Sequence, residues 1–342
     1  MKNNEFIVCS RASMGIYAVL KEFCIGEYVA VPWNVCPDVI FSIILANKKP
    51  YFLDYSSKLI PISTQTLNSI PTNITCLLHV HIYGSFYEIT KEMKKRFPLI
   101  IDDAAQALGT TYKASKAGFN GNFGIFSFGR TKQCDLGGGG LVYSKNIKKL
   151  EKLENFIVNS KLLNNLDFDQ IYNKNYDLIV SKLKLFEEYG NIDWSIPNLN
   201  PAVVLKNFEG VLDKDDLVNH LKAYDPSERI LIFKSFADRL IKMDFRCAHF
   251  EAGDNPWRLV VSPKKKDFTK YIQAFKHLRS EGCNCSNWYY PSHEIFVSKI
   301  HNNHSVSLYN LCRFQFSIEN ISDRYKIRNE DKIIEILGLY YG

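Results

Sequence analysis

The 342-residue chain reads as an α/β protein, with a mostly parallel mixed sheet in a large domain and a smaller C-terminal α/β domain. Three observations predict this. Helix-like and strand-like segments alternate through the first half with short connections, the pattern of a sheet covered by helices. Residues 75–82 are continuously apolar apart from His79 and His81, as a strand buried on both faces must be. Strand signals fade after residue 145 and return from Asp244 onward around a helical segment.

The elements follow in order. Phe6–Cys9 is a short apolar strand. Ile16, Tyr17, Val19, Leu20 and Phe23 have helical spacing and predict a helix from Met14 to Phe23. Tyr28–Pro32 is β-rich, Asp38–Ala46 apolar and helix-compatible, and Lys49–Asp54 a strand ending in a carboxylate. Thr90–Arg96 reads as a polar-faced helix, Pro98–Asp103 as the next strand, and Gly121–Phe128 and Gly138–Tyr143 as two more. Residues 145–190 are rich in Lys, Leu and Asn at helical spacing. The prolines within Ile196–Pro201 break that pattern, and a long helix is expected from Ala202 to about Leu221. Strands at Trp257–Ser262 and Trp288–Tyr290 flank a helix at Phe268–Arg279. The division expected is a large domain over residues 1–200 and a small one over 201–342, joined by the long helix.

Composition narrows the function. A balance of 43 Lys+Arg against 36 Asp+Glu is mildly basic, without the stripe that nucleic-acid binding requires. Nine cysteines show neither a disulfide scaffold nor metal-ligand spacing, so a reducing compartment and no metal are expected. Met1–Glu5 leads into a short strand and not a signal peptide, and no apolar run is long enough to span a bilayer. The expectation is a cytoplasmic protein with no membrane or nucleic-acid partner.

One constellation carries chemistry. Lys132 closes the run Ser-Phe-Gly-Arg-Thr-Lys and is followed by Gly137 to Gly140. A lysine on a plain surface loop needs no apolar lead-in and no glycines. Here Phe123–Phe128 is apolar enough to be buried, and the glycines permit close backbone approach to a bulky ligand. Asp103 ends a buried strand, where a carboxylate is costly without a partner. A Schiff-base lysine and a carboxylate that keeps a pyridine nitrogen protonated are what pyridoxal 5'-phosphate (PLP) asks of a protein. Asp103 could instead cap a helix starting at Ala104. Gln106, one helical turn on, could reach the cofactor's phenolic oxygen, and Ser127 its phosphate. Phosphate also favours a helix N-terminus. Arg11-Ala12-Ser13 precedes the helix at Met14, so Ala12 and Ser13 are expected there, with Ser13 as the cap.

These residues resemble the DegT/StrS family of sugar aminotransferases, within PLP-dependent fold type I. Asp-Asp-Ala-Ala-Gln-Ala-Leu-Gly at 102–109 is similar to the family's Glu-Asp-Ala-Ala-Gln-Ala-x-Gly, and Ser127–Lys132 with the glycines resembles its lysine loop. Val80–Gly84, Tyr51–Asp54, Pro256–Leu259 and the stretch 288–293 resemble further family segments. The resemblance implies Lys132 as the Schiff-base lysine, Asp103 as partner of the pyridine nitrogen, Gln106 and Ser127 as cofactor contacts, and His293 as a substrate contact. It further implies a homodimer, a nucleotide-linked keto sugar as amino acceptor, and an amino-acid donor, glutamate. Members that dehydrate a deoxysugar carry histidine in place of the lysine, so Lys132 favours transamination. Amination of a cyclitol and a silent, regulatory PLP-binding protein stay open at this level.

There are departures. The family's Ser-Gly-Thr phosphate loop is here Arg11-Ala12-Ser13, and the chain starts a few tens of residues later than is usual. The aromatic that stacks on the pyridine ring falls at Cys36, with Trp33 as the neighbouring candidate. The segment expected to send an asparagine and an arginine to a partner's phosphate reads Asn198-Leu199-Asn200-Pro201, without the arginine.

Overall fold

A computed structural model describes residues 4–53, 64–160, 166–189, 192–206, 213–247, 253–286, 292–296, 316–319 and 329–342. The elements are β1 (Phe6–Cys9), α1 (Ala12–Phe23), β2 (Tyr28–Pro32), α2 (Pro37–Leu45), β3 (Lys49–Leu53), α3 (Thr64–Ser69), β4 (Cys76–Val80), α4 (Lys91–Arg96) and β5 (Leu99–Asp103). The hairpin strands β6 (Thr111–Tyr112) and β7 (Ser115–Lys116) precede β8 (Phe123–Ser127), β9 (Gly140–Tyr143), α5 (Ile147–Ser160) and α6 (Phe168–Tyr189). Then come α7 (Lys214–Ala223), α8 (Ser227–Lys242), β10 (Phe245–Cys247), β11 (Arg258–Pro263), α9 (Phe268–Ser280), β12 (Cys285–Ser286), α10 (Ser292–Ile295), β13 (Phe316–Glu319) and α11 (Glu330–Tyr341).

The large sheet has seven strands in the order β1-β9-β8-β5-β4-β2-β3. Strands β8, β5, β4, β2 and β3 run parallel, while β9 is antiparallel to both its neighbours. The parallel strands are buried almost throughout, which explains why they lack alternation. The chain leaves β2 for β3 on one side and then crosses to β4 on the other. That reversal opens a crevice at the carboxyl ends of β2 and β4, where sheets of this kind take ligands. A second, antiparallel sheet has the order β10-β11-β13-β12.

Three expectations are corrected. The helix expected from Ala202 to Leu221 is broken. A 3-10 turn covers Pro201–Leu205, Lys206 is extended (φ −56°, ψ 121°), and α7 begins afresh with Asp213 as its N-cap, accepting from the Asp215 and Asp216 N–H groups. Pro201 and the Asn200 side chain, which accepts from the Ala202 N–H, start a turn too short to propagate. No helix follows Ala104. The segment is a pair of turns, with Ala107 bonded to Ala104 and Thr110 to Ala107. Finally, α1 starts at Ala12, so Arg11 (φ −152°, ψ 153°) is its N-cap and Ser13 already lies inside it. Asp54 and Trp288–Tyr290 lie outside the described residues.

The start of α1 is pressed onto β9. A Cβ on Gly140 would lie 2.4 Å from the Ala12 amide nitrogen, a distance no side chain can occupy. Gly137, at φ +78°, has nothing within 4 Å. Gly140→Ala should therefore cost roughly 1–3 kcal/mol in urea denaturation, and Gly137→Ala about 1–2 kcal/mol from backbone strain alone. The two also differ in kind. Only the change at 140 should disturb the helix start and with it any anion bound there; equal effects on anion binding would show that β9 does not shape that end of the helix.

Candidate active site

Four strand ends converge. Beyond β2 come Trp33 and Asn34, beyond β4 come His81 to Gly84, β5 ends in Asp102 and Asp103, and β8 ends in Ser127. Adjacent residues of a strand point to opposite faces, and the two aspartates divide accordingly. Asp102 accepts from His81 Nε2 at 2.7 Å and from the Asn120 N–H at 2.8 Å. His81 Nδ1 in turn accepts from the Tyr87 N–H at 3.1 Å, which fixes a neutral ring with its proton on Nε2. Burial would push Asp102 up, but His81 and the Asn120 amide outweigh it and hold the carboxyl below its ordinary range.

Asp103 is in a different state. It is 2 % exposed, and its Oδ1 accepts from the Ala105 N–H at 2.9 Å. Burial pushes its pKa up to about 6, against the pull of that N–H and of Lys132. A carboxyl so placed gains most from a cationic donor.

Lys132 stands in a tightly bonded loop. Its N–H donates to the Gly129 carbonyl, Leu136 N–H to Phe128, and Asp135 accepts from the Thr131 and Gly137 N–H groups, each at 2.8 Å. Thr131, at φ +70°, turns the chain. The amine lies 4.3 Å from the centre of the Trp257 ring, whose Nε1 donates to the Thr131 carbonyl at 2.8 Å. Burial lowers the basicity of the Lys132 amine; Cys36 and Asp103 oppose this, while Arg258 adds to it. An amine with a lowered pKa has a larger share of its nucleophilic, neutral form.

A third cluster surrounds the start of α1. Arg11 bridges to Gly139, and Ser127 pairs with Gly140, so Ala12, Ser13 and Ser127 are gathered around β9. The Ser13 hydroxyl is buried and, among the described residues, has no hydrogen-bond partner. The Arg11 guanidinium is turned onto Asp38 at 2.5 Å and the Val203 carbonyl at 3.2 Å.

The set fits PLP. An amine, an acid whose ionised form wants a cationic partner, an orphan hydroxyl at a helix N-terminus and a backbone cradle that a Cβ would fill are the groups that its aldehyde, ring nitrogen and phosphate require.

The other expected residues are placed as follows. Gln106 is buried, its Oε1 accepting from the Tyr83 N–H at 2.9 Å and its carbonyl from Gln133. Trp33 is fully buried and meets His293 edge-on, ring centres 5.4 Å apart, and His293 Nε2 lies 3.6 Å from Glu294 Oε1. From the same loop Cys36, the N-cap of α2, lies near enough for its thiol and the Lys132 amine to act on each other. Burial, with Asp38, pushes that thiol up to about 12. Sequence reasoning missed Trp257 and Arg258 as neighbours of the lysine and His81 as partner of Asp102. The histidines did stand out as polar residues within an apolar strand.

The family model of the DegT/DnrJ/EryC1/StrS aminotransferase family matches residues 1–187, more than half of the chain. The chain belongs to this family. A GDP-perosamine synthase of Caulobacter vibrioides is 27% identical over 142 residues, covering 40% of this chain and 38% of that protein. The chain spans about a third of the length of the curated relatives it matches, with shares of 30%, 38% and 34%. A DegT DnrJ EryC1 StrS aminotransferase structure from Brucella abortus superposes with a TM-score of 0.69 at 17% identity, over 98% of this chain and 86% of that one. E. coli GDP-4-keto-6-deoxy-D-mannose-3-dehydratase with bound hydrated PLP gives 0.62 at 14% identity, over 97% and 87%. The structural likenesses show the fold.

The two aspartates of this family member should respond oppositely to amidation. Asp103 binds its proton more tightly folded (about 6) than its ordinary 3.8. Its ionisation therefore weakens the fold as pH rises through that window, with no penalty below about pH 4 and the full penalty above about pH 6. Asp103→Asn should stabilise the cofactor-free protein at neutral pH by on the order of 3 kcal/mol, a gain that vanishes below about pH 4. Asp102 accepts from two N–H donors, and an amide can accept on one oxygen only. Asp102→Asn should thus destabilise by roughly 1–3 kcal/mol at neutral pH. Thermal melts over a pH series would show this; a gain at 102 and a loss at 103 would reverse the assignment.

Proposed function

We propose that this protein is a PLP-dependent aminotransferase that moves an amino group from an amino acid, glutamate, to a nucleotide-linked keto sugar. The observation that carries the reading is the half-buried Lys132 with the buried Asp103 carboxyl close enough for the two to act on each other, within a family of aminotransferases. The cofactor supplies an electron sink for the negative charge that develops on the substrate carbon. Lys132 would hold the cofactor through its amine, and the same amine would move a proton at the reacting carbon of the substrate. Asp103 keeps the ring nitrogen protonated. Ser127, Ser13 and the N–H groups at the start of α1 hold the phosphate. Gln106, itself fixed by the Tyr83 N–H, would hold the phenolic oxygen, and His293 beside Trp33 would lie on the sugar side. The protein is read as a homodimer, which the family resemblance implies, and, from composition and element pattern, as cytoplasmic with residues 1–200 as its large domain. No helix among the described residues is long and apolar enough to cross a membrane.

Borohydride reduction of the PLP-loaded protein followed by peptide mass mapping should place the pyridoxyl group on Lys132. Glutamate should shift the visible absorbance of the loaded protein, and a nucleotide-linked keto sugar should restore it. Label on another lysine, or a spectrum indifferent to any amino acid, would sink the reading.

With Arg11 committed to Asp38, the phosphate is left to neutral donors. Ser127→Ala and Ser13→Ala should each weaken PLP retention in equilibrium dialysis by roughly tenfold to a hundredfold, the worth of one hydrogen bond to a charged group. Chemistry should survive in excess cofactor. Unchanged retention in both variants would show that another group, with Arg11 the nearest cation, binds the phosphate.

A further inference from the structure

The Lys132 amine lies over an aromatic face that is tied to its own loop. Trp257 comes immediately before β11, and its ring centre lies 4.3 Å from Lys132 Nζ. The face of an indole carries negative potential and attracts an ammonium at this range. The ring is bonded to the loop on one side of the lysine: its Nε1 donates to the carbonyl of Thr131 at 2.8 Å. On the other side Gln133 Nε2 donates at 3.1 Å to the carbonyl of Asn255, two residues before the tryptophan. The Trp257 N–H donates to the Tyr83 carbonyl at 2.8 Å, and its own carbonyl accepts from Arg229 Nη2 at 2.8 Å. Ring and amine are thus held in register by bonds that flank the lysine.

The charges around the amine pull in both directions. Burial lowers the basicity of Lys132, and Arg258, 4.1 Å from the same ring centre, adds to this. Asp103 from β5, with Cys36 and Asp38 from the start of α2, opposes it. Cys36 is a neutral thiol, and Asp103 ionises only near pH 6 and above. The indole differs from all of these because its attraction does not titrate. It favours the charged form of the amine at every pH, and an amine that both takes and returns a proton needs both forms within reach.

We propose that the indole of Trp257 is the resting seat of the Lys132 ammonium, and that it raises the pH at which this amine becomes neutral. Trp257 is a positioning residue, acting through Lys132. The inference rests on the reading of Lys132 as the working amine of an aminotransferase. The seat offsets part of the cost of burying the charged amine, and it keeps the amine in one place while it carries its proton.

The test uses the cofactor-free protein and competitive labelling with acetic anhydride, which acetylates only a neutral amine. Peptide mass mapping over a pH series reads Lys132, with the exposed Lys265 as reference. A tetrafluorinated tryptophan placed at 257 alone keeps the shape and the N–H donor but removes the negative face. It should lower the midpoint of Lys132 labelling by roughly 0.5–1.5 pH, the worth of one cation–π contact, and leave Lys265 unmoved. Trp257→Leu should lower it at least as far. Trp257→Phe, which restores an aromatic face without the bond to Thr131, should fall between. If the leucine variant does not fold, the fluorinated protein decides. A midpoint unmoved or raised by fluorination would overturn the proposal, leaving the ring to pack on the lysine stem alone. The two readings fail separately. If fluorination moves the midpoint but borohydride fixes the pyridoxyl group on another lysine, the seat stands and the role of Lys132 in transamination falls. If the label sits on Lys132 and the midpoint is indifferent, the reverse holds.

Discussion

The geometry of the site depends on the clamp that holds Trp257. The segment Gly253–Trp257 is bonded to the β6–β7 hairpin and to the turn that follows β4. Thr111 N–H donates to Gly253, Asn255 N–H to Gly84, and Trp257 N–H to Tyr83. Gln133, next to the lysine, donates to the Asn255 carbonyl at 3.1 Å and to Gln106. Gly84, at φ +98°, is the reason the segment can come so close: a Cβ there would lie 2.1 Å from the Asn255 carbonyl oxygen. From the other side Arg229 Nε binds the Pro256 carbonyl at 2.7 Å. The lysine loop, the β4 turn and the first residue of β11 are thereby one body. Their mutual positions are set by backbone hydrogen bonds together with the Gln133, Arg229 and Trp257 side chains.

Within that body the polar groups fall into two classes. His81, Asp102, Asn120 and Tyr87 satisfy one another, and the pair His81–Asp102 supports the end of β4 against β5. Nothing in that network asks for a ligand. Asp103, Lys132 and the Ser13 hydroxyl are the reverse: Asp103 and Lys132 lose hydration at a cost that neighbouring groups only partly offset, and the Ser13 hydroxyl has no partner among the described residues. The fold spends stability where the chemistry happens. A cofactor that neutralised the first two and bonded the last would return it, which ties ligand binding to stability by simple linkage.

The parallel core was legible because burial on both faces leaves unbroken apolar runs. Phe6–Cys9 and Tyr28–Pro32 match the observed strands, and the others differ by a residue or two at their ends. The lysine and aspartate were legible because motif and burial pointed the same way. What failed was local geometry decided by distant partners. Ala104 and Ala105 have good helical propensity, yet the chain turns there because Ala104 N–H pairs with Ile125 across the sheet and Thr110 is drawn to the Gly84 carbonyl. Ser13 is a better N-cap than Arg11 by chemistry. The bridge from Arg11 to Gly139 nonetheless holds Arg11 extended, and the helix starts at Ala12, two residues before the start a Ser13 cap would give. The partnership of Lys132 with Trp257 joins residues far apart in sequence, and no local pattern encodes it.

The departures from the family motif form a consistent set when charge is followed. Arg11, which the resemblance sets against a family serine, is neutralised by Asp38 in the first turn of α2. Cys36, at the N-cap of that helix, stays a neutral thiol, because burial and Asp38 both oppose its ionisation. The loop between β2 and α2 therefore brings no net charge to the lysine. Charge enters from the opposite side, where Arg258 meets Lys132 over Trp257. The site is thus polarised across its width, with cations and an indole on the side of the small sheet and neutral groups on the side of α1 and α2.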